Sequence, residues 1–206
     1  VYSELVQHGF RRSGTYTYRP HCDNCNACVP LRVPAKQFAA NRSQRRARRR
    51  HANLEATLHP IQDKVEYYNL YQRYQQARHR SDGMAADDRE SYQNFLLKSH
   101  VDTVLVEFRE PSGQAQDRQG ILRMVSVIDL TGDGLSSVYT FYEPYLPGAR
   151  FGVYNVLWQI ELCRKLDLDF VYLGYWIRQC RKMAYKAGYR PAQVLLDGVW
   201  SGIEPV

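Results

Sequence analysis

From residue 101 onward, apolar and polar residues alternate with the two-residue period of a pleated strand. VDTVLVEF (101–108), GILRMVSVIDL (120–130) and LSSVYTFYEP (135–144) are three such runs, separated by GQAQDRQG and TGDG, both of which have turn chemistry. This pattern predicts an antiparallel meander. The period then lengthens. In VYNVLWQIELCRKL, residues Val156, Leu157, Ile160, Leu162 and Leu166 fall at helical intervals and predict a buried helix. DFVYLGYW follows as a strand, IRQCRKMAYKAG as a helix stopped by Gly188, and YRPAQVLLDGVW as a last strand. The order βββαβαβ describes an α+β fold: a mixed sheet with helices on its faces, the pattern of a GNAT-like N-acyltransferase core.

Before residue 101 the texture is less regular. TYTYRP and PLRVP alternate like strands, and Pro20, Pro30 and Pro34 interrupt any helix, so residues 1–59 read as short strands and loops. A short helix is expected in the basic segment 36–50 and a strand at NLEATLHP. Residues 62–80 place Val65, Tyr68, Tyr71 and Tyr74 at helical spacing. DDRESYQNFLLKS has acidic residues at its start and Lys98 near its end, complementing a helix dipole. These readings divide the chain into an N-terminal cysteine-loop and basic region, 1–60, and a C-terminal acyltransferase-like domain, 61–206.

Charge changes the picture. The 28 Lys and Arg exceed the 21 Asp and Glu by seven, and segment 36–50, KQFAANRSQRRARRR, holds seven basic residues and no acidic one, so the remainder is balanced. A concentrated basic segment on a neutral body is the footprint of a polyanion, most often nucleic acid. The bland alternative is a solvated surface helix. Arginine dominates the run, and its planar fork suits phosphate, which favours nucleic acid. Phosphate contacts are assigned to Arg42, Arg45, Arg46 and Arg48, with Gln44 hydrogen-bonding nearby. No apolar run approaches the roughly 18 residues of a membrane span, so a soluble protein without a membrane partner is expected.

YRPHCDNCNACVPLRV (18–33) sets Cys22, Cys25 and Cys28 at two successive C-x-x-C spacings, which can converge on one metal ion or cluster. A fourth donor is needed: His21 adjoins the loop, and a cysteine from chain upstream of Val1 is the other expectation. Crowded cysteines in an odd total of five fit a metal centre in a reducing compartment better than a disulfide framework.

The stretches YRPHCDNCNACVPLRV, NRSQRR, VSVIDLTGDGLSSVYTFYEPYLP, FGVYNVLWQIELCRKL and VYLGYWIRQCRKMAYKAGYRP together resemble the arginyl-tRNA–protein transferase family, and within it the bacterial aspartate/glutamate leucyltransferases. The resemblance spans about Gly9 to Trp200. It implies two acyltransferase-like halves and a cytoplasmic enzyme that moves an amino acid from its tRNA to the amino terminus of a protein beginning with Asp or Glu, marking it for degradation. It also implies an upstream cysteine motif, and a cysteine region that holds an iron–sulfur cluster, zinc or no metal at all.

The chemistry so implied is modest. The acyl donor is an activated ester and the acceptor amine has a pKa near 7.7–8.0, so positioning, oxyanion stabilisation and a mild base suffice, with no covalent nucleophile and no cofactor. Asp129 is a candidate to accept a proton or orient the amine, or else a turn residue. Tyr175 and Trp176 end a strand where such a sheet opens, and are candidates to wall the acyl pocket, or else core. Lys182 and Tyr185 are expected on one helical face, offering a cation and a hydroxyl to the ester or terminal adenosine. Cys180 is read as packing. The acceptor's acidic side chain needs a cation, for which Arg19 and Arg32 flank the cysteine loop; the loop then braces these arginines. Two rivals compete. An acetyl-CoA enzyme needs an R-x-x-G-x-G loop, which RFGVYN (150–155) does not supply. A non-catalytic metal-dependent RNA-binding module leaves the C-terminal sheet without a purpose. Leucyl transfer is favoured over arginyl transfer, since arginine would need an acidic pocket.

Overall fold

The computed structural model describes residues 1–78, 88–111, 119–180 and 182–203. Its elements are α1 (Tyr2–Gln7), β1 (Arg11–Ser13), β2 (Tyr16–Tyr18), β3 (Val29–Pro34), α2 (Arg42–Arg50), β4 (Glu55–Pro60), α3 (Val65–Arg78), α4 (Arg89–Tyr92, continuing as a π-helical turn through Leu97), β5 (Thr103–Glu110), β6 (Ile121–Leu130), β7 (Gly134–Tyr142), α5 (Phe151–Lys165), β8 (Phe170–Trp176), a 3-10 helix (Ala184–Gly188), β9 (Gln193–Leu196) and β10 (Val199–Gly202). The meander, the helix after it and the strand VYLGYW stand where the hydrophobic periods predict them. Most of the turn GQAQDRQG lies outside the described residues, as do the last two residues of the helix expected over 62–80.

Eight strands form one mixed sheet in the order β10-β9-β3-β8-β7-β6-β5-β4. Every neighbouring pair is antiparallel except β7 and β8. The two regions expected as 1–60 and 61–206 therefore share a single sheet. From the first region, β3 lies between β9 and β8, and β4 forms the far edge.

Each face buries its own core. On one side α5 covers Leu31, Val33, Val106, Phe108, Met124, Ile128, Val171 and Leu173, burying Phe151, Ile160 and Cys163 with them. On the other, Tyr67, Leu70 and Tyr71 of α3, with Tyr92 and Leu96, cover Leu105, Val125, Val127 and Phe141. The strand residues of the two sets alternate along β5 and β6, as the period of two requires. Many of the tyrosines are core residues, and burial pushes the hydroxyl pKa of Tyr67, Tyr74 and Tyr92 upward.

Two expectations at the C-terminal end are corrected. IRQCRKMAYKAG is not an α-helix. It makes a turn, with Cys180 N–H bonded to Ile177 carbonyl, then the 3-10 helix. Lys186 folds back onto the end of β8, and i→i+3 bonds such as Lys186 N–H to Met183 carbonyl close the tighter helix. YRPAQVLLDGVW is two strands, because Asp197 (φ 48°) and Gly198 (φ 81°) form a two-residue hairpin turn. The Asp-Gly pair is the sequence signal for that turn.

The N-terminal segment is fastened to the sheet by a buried ion pair. Arg12 donates from Nε and Nη2 to the two carboxylate oxygens of Asp129 at 2.8 Å each, and also to the carbonyls of Gly14 and Lys98. Tyr2 and Thr103 donate hydroxyls to the same carboxylate. Asp129 is fully buried and Arg12 nearly so. Replacing Arg12 with alanine strands a buried carboxylate, and is expected to cost about 3–5 kcal/mol, read as a lower urea midpoint. An unchanged midpoint would show that this fastening does not hold the fold.

Candidate functional site

The site is organised by the parting of β7 and β8. Their parallel ladder runs only from Gly134–Phe170 to Ser136–Tyr172. It starts tightly, since a Cβ at Gly134 would collide with the Phe170 carbonyl. Each strand then carries an irregularity. The β6–β7 register shifts between Val127 and Ile128, leaving Val138 as an extra residue of β7. The β3–β8 register shifts at Leu31, leaving Leu173 extra on β8. Such bulges bend a strand away from its neighbour.

Arg11 fills the parting. Its guanidinium donates to the Ser136 hydroxyl at 3.0 Å and to the carbonyls of Ser137 and Val138. Gly174 faces it from β8 at φ 72°, where a Cβ would lie 2.8 Å from Arg11 Nε. Arg12 is thus held at Asp129 while its neighbour enters the strand gap.

Beside Arg11 lies Lys186, whose ammonium donates to the Tyr175 carbonyl at 2.6 Å. Burial, with the charge of Arg11 adding to it and Cys180 working against it, pushes its pKa down to about 7. Aromatic groups stand around the opening. Tyr185 of the 3-10 helix is half exposed and lies near Tyr142 of β7, while Tyr74 packs edge-on against Tyr142 at 4.9 Å. The Trp176 indole N–H, Asn155 Oδ1 and Gln159 Oε1, on β8 and α5, are buried and have no hydrogen-bond partner among the described residues.

The basic helix adjoins this opening. Asn41 caps α2 and forms a capping box with Gln44, and Ala47 is buried on the side facing α5. Gln44 Nε2 donates to the Gly188 carbonyl at 3.1 Å, tying α2 to the 3-10 helix. Arg150, just before α5, bonds the Ser43 hydroxyl. Arg42, Arg45, Arg46, Arg48, Arg49 and Arg50 are exposed; Arg50 also reaches the Gly148 carbonyl and Arg48 approaches Glu161 at 4.0 Å.

Several residues singled out in the sequence sit elsewhere than expected. Asp129 faces no open cleft, because Arg12, Tyr2 and Thr103 occupy both its oxygens. Gln44 is buried and serves the helix cap, not the exposed face. Arg32 lies opposite Tyr172, in the part of β8 that is still paired. It is caged by Phe170 at 3.6 Å and Trp200 at 4.3 Å, and donates to Gln193 and the Tyr172 hydroxyl. The Tyr175 hydroxyl points at the carbonyls of Gly9 and Tyr18, so it holds the N-terminal segment. Trp176 packs against the α5-side core. Lys182 is exposed in the turn before the 3-10 helix. Arg19 is exposed, bonds the His8 carbonyl and stands near Tyr175. Sequence reasoning missed Arg11 and Lys186, for which no local pattern distinguishes either from its neighbours.

The cysteine loop abuts the end of β8. Cys22 and Cys25 are exposed and Cys28 is partly buried; burial raises the Cys28 pKa, and the other two cysteines add to it. Among the described residues, no group of three or more His, Cys, Asp or Glu side chains is arranged to hold a metal ion. No described helix is long and apolar enough to cross a membrane. A groove of about 530 Å³ lies between the β1–β2 turn and α4, lined by Ser13, Tyr16, Asn94 and Lys98, and shares no lining residue with the parting. The parting carries the clustered cations and buried unpaired polar atoms, and is the better site.

A sheet that parts beside a lysine of lowered pKa, next to an arginine-rich helix, suits transfer of an acyl group from a nucleic-acid carrier to an amine. The chain belongs to the arginine-tRNA-protein transferase family: the N-terminal family model matches residues 1–46 and the C-terminal one residues 66–196. Among curated relatives, the aspartate/glutamate leucyltransferase of Nitrosospira multiformis is 55% identical over 204 residues, covering 99% of this chain and 78% of that protein. That of Chromobacterium violaceum is 54% identical over 200 residues, covering 97% and 79%. The fold is also similar to L-PGS from Bacillus licheniformis (TM-score 0.55, 12% identity, 85% of this chain and 58% of that one) and to FemX (TM-score 0.54, 10% identity, 88% and 61%). At these identities the likeness is one of fold.

Gly174 is a sharp test of how the parting is built. Gly174→Ala imposes left-handed strain and a collision with Arg11, and is expected to destabilise by about 1–3 kcal/mol, measured by thermal melting. Gly188→Ala, with nothing within 4 Å of the added methyl, should leave the melting curve nearly unchanged. Equal curves for the two variants would contradict the described packing.

Proposed function

We propose that this protein transfers leucine from Leu-tRNA to the α-amine of proteins that begin with Asp or Glu, a tag that marks them for degradation. The observation that carries the reading is the junction of α2 with the 3-10 helix through Gln44 and Gly188. It sets a row of exposed arginines beside the opening between β7 and β8. Arg42, Arg45, Arg46 and Arg48 bind tRNA phosphates, and the charged 3′ end enters over Tyr142 and Tyr185. The use of the parting is that of a GNAT-like sheet, with the ester carbonyl held between the diverging strands. Acetyl-CoA is not a substrate in this reading.

The reaction is aminolysis of an ester, so the carrier already supplies the activation. Holding the amine against the carbonyl provides most of the rate. The fixed charge of Arg11 stabilises the oxyanion as it develops. The aromatic and cationic surroundings favour an apolar leucyl side chain over a charged arginyl one. Arg19, exposed beside Tyr175, takes the acceptor's carboxylate; the caged Arg32 braces β3, β8 and β10 behind it. A tRNA substrate places the reaction in the cytoplasm. The names borne by the relatives, and the 46–55% identity of the first six over nearly the whole chain, support the donor and acceptor so assigned.

The test is transfer of radiolabelled leucine or arginine from its tRNA to peptides starting with Asp, Glu or Ala. Leucine should pass to the first two alone. Exclusive use of Arg-tRNA would overturn the donor, and no transfer at all would overturn the reading. Replacing Arg45 and Arg46 together with alanine should weaken Leu-tRNA affinity and lower the slope of log affinity against log salt by about one to two. An unchanged slope would remove α2 from the tRNA interface.

A further inference from the structure

Arg11 and Lys186 make an unusual pair. Both are drawn into the fold at the mouth of the parting, Arg11 against Gly174 and Lys186 against the next carbonyl, that of Tyr175. Among the described residues neither has a carboxylate partner within ion-pair distance. Arg11 is committed to three oxygens of β7 and keeps its charge. Lys186 has one bond to a backbone carbonyl, and a neutral amine keeps an N–H for that bond while its lone pair is free. Two cations side by side without a counter-ion are relieved when the weaker acid of the two stays charged and the lysine gives up its proton.

We infer that Lys186 is the catalytic base of this protein, taking the proton from the acceptor's α-amine as that nitrogen attacks the ester carbonyl of the aminoacyl-tRNA. The inference rests on the transfer reading above and deepens it. The C–N bond forms as the amine's electron pair enters the carbonyl, and one N–H proton passes to Lys186 Nζ. When the tetrahedral adduct collapses, the C–O bond to the ribose breaks and the ribose oxygen takes the same proton from Lys186. Amine and ester become amide and free tRNA hydroxyl, and Lys186 returns to its neutral form. Arg11, besides stabilising the oxyanion, acts on this lysine: its charge favours the deprotonated amine. The groups that bear on Lys186 are Arg11 of β1, the Cys180 thiol after β8, and the carbonyl of Tyr175. A lysine titrating near 7 suits this work, because a base is most effective when its pKa matches the working pH.

The test is kcat against pH for the wild type, Lys186→Arg and Lys186→Met, with Leu-tRNA and an Asp-initiated peptide at saturation. Wild-type activity should fall below about pH 8 as the acceptor amine is protonated and more steeply below about 7, where the lysine is protonated as well. Both variants should lose about 10²–10⁴-fold in kcat, with KM for each substrate changed less than about threefold and only the amine's own limb remaining, without the steepening near 7. Melting temperature and Leu-tRNA binding of the variants check that they fold. Wild-type transfer combined with a Lys186→Arg variant that keeps its kcat, or that keeps the added steepening near pH 7, would overturn the assignment of Lys186 alone. So would a loss confined to KM for tRNA, which would make the lysine a phosphate contact. Failure of the wild type to transfer leucine would overturn the reading beneath it.

Discussion

The bidentate bond between Arg12 and Asp129 is the constraint on which the rest of this structure leans. It anchors a three-residue strand to the end of a ten-residue one, 117 positions away in the chain. Without that anchor, Arg11 would have no reason to leave water. Held by it, Arg11 enters the gap left by two bulges, meets the freed carbonyls of β7 and touches Gly174 on β8. A desolvated ion pair contributes little net stability by itself, since much of its attraction offsets lost hydration. Here its service is one of placement: it delivers a second, unneutralised charge to the point where the sheet opens.

The basic helix shows the same division between holding and acting. Gln44 and Ala47 are turned inward and fix α2 against the 3-10 helix and α5, leaving the arginines outward. A single carboxamide serves the helix cap and the junction to the opening. The charge pattern that marks this segment in the sequence is therefore paired with an uncharged residue whose contribution is geometric. The cysteine loop is similar in its position, abutting Tyr175, whose hydroxyl holds the carbonyls of Gly9 and Tyr18.

Periodicity made most of the fold legible. The three meander strands, α5 and β8 follow from where apolar residues recur, because each element buries one or both faces. The 3-10 helix was not legible, since its tightness comes from Lys186 folding back onto Tyr175, a tertiary bond. The hairpin at Asp197–Gly198 was missed: the Asp-Gly pair has turn chemistry, but the apolar residues on either side read as one continuous strand. For the site, the arginine cluster announced itself by composition. Asp129 drew notice as an acid at a strand end, yet its partner Arg12 lies in a distant segment, and nothing local marks it as a buried anchor. Arg11 and Lys186 owe their chemistry to burial, a property conferred by neighbours far away in sequence.

The position of β3 carries a consequence for how the chain reaches this form. Residues 29–34 are made before the strands on either side of them, β8 and β9, by some 140 to 160 residues, as the pairings of Arg32 with Tyr172 and Gln193 record. Until then the strand has no edge to join. Such long separations slow folding, because the entropy of closing the loop is lost before any contact offsets it. A nascent chain of this kind can join β3 to the sheet only after β8 and β9 have been made.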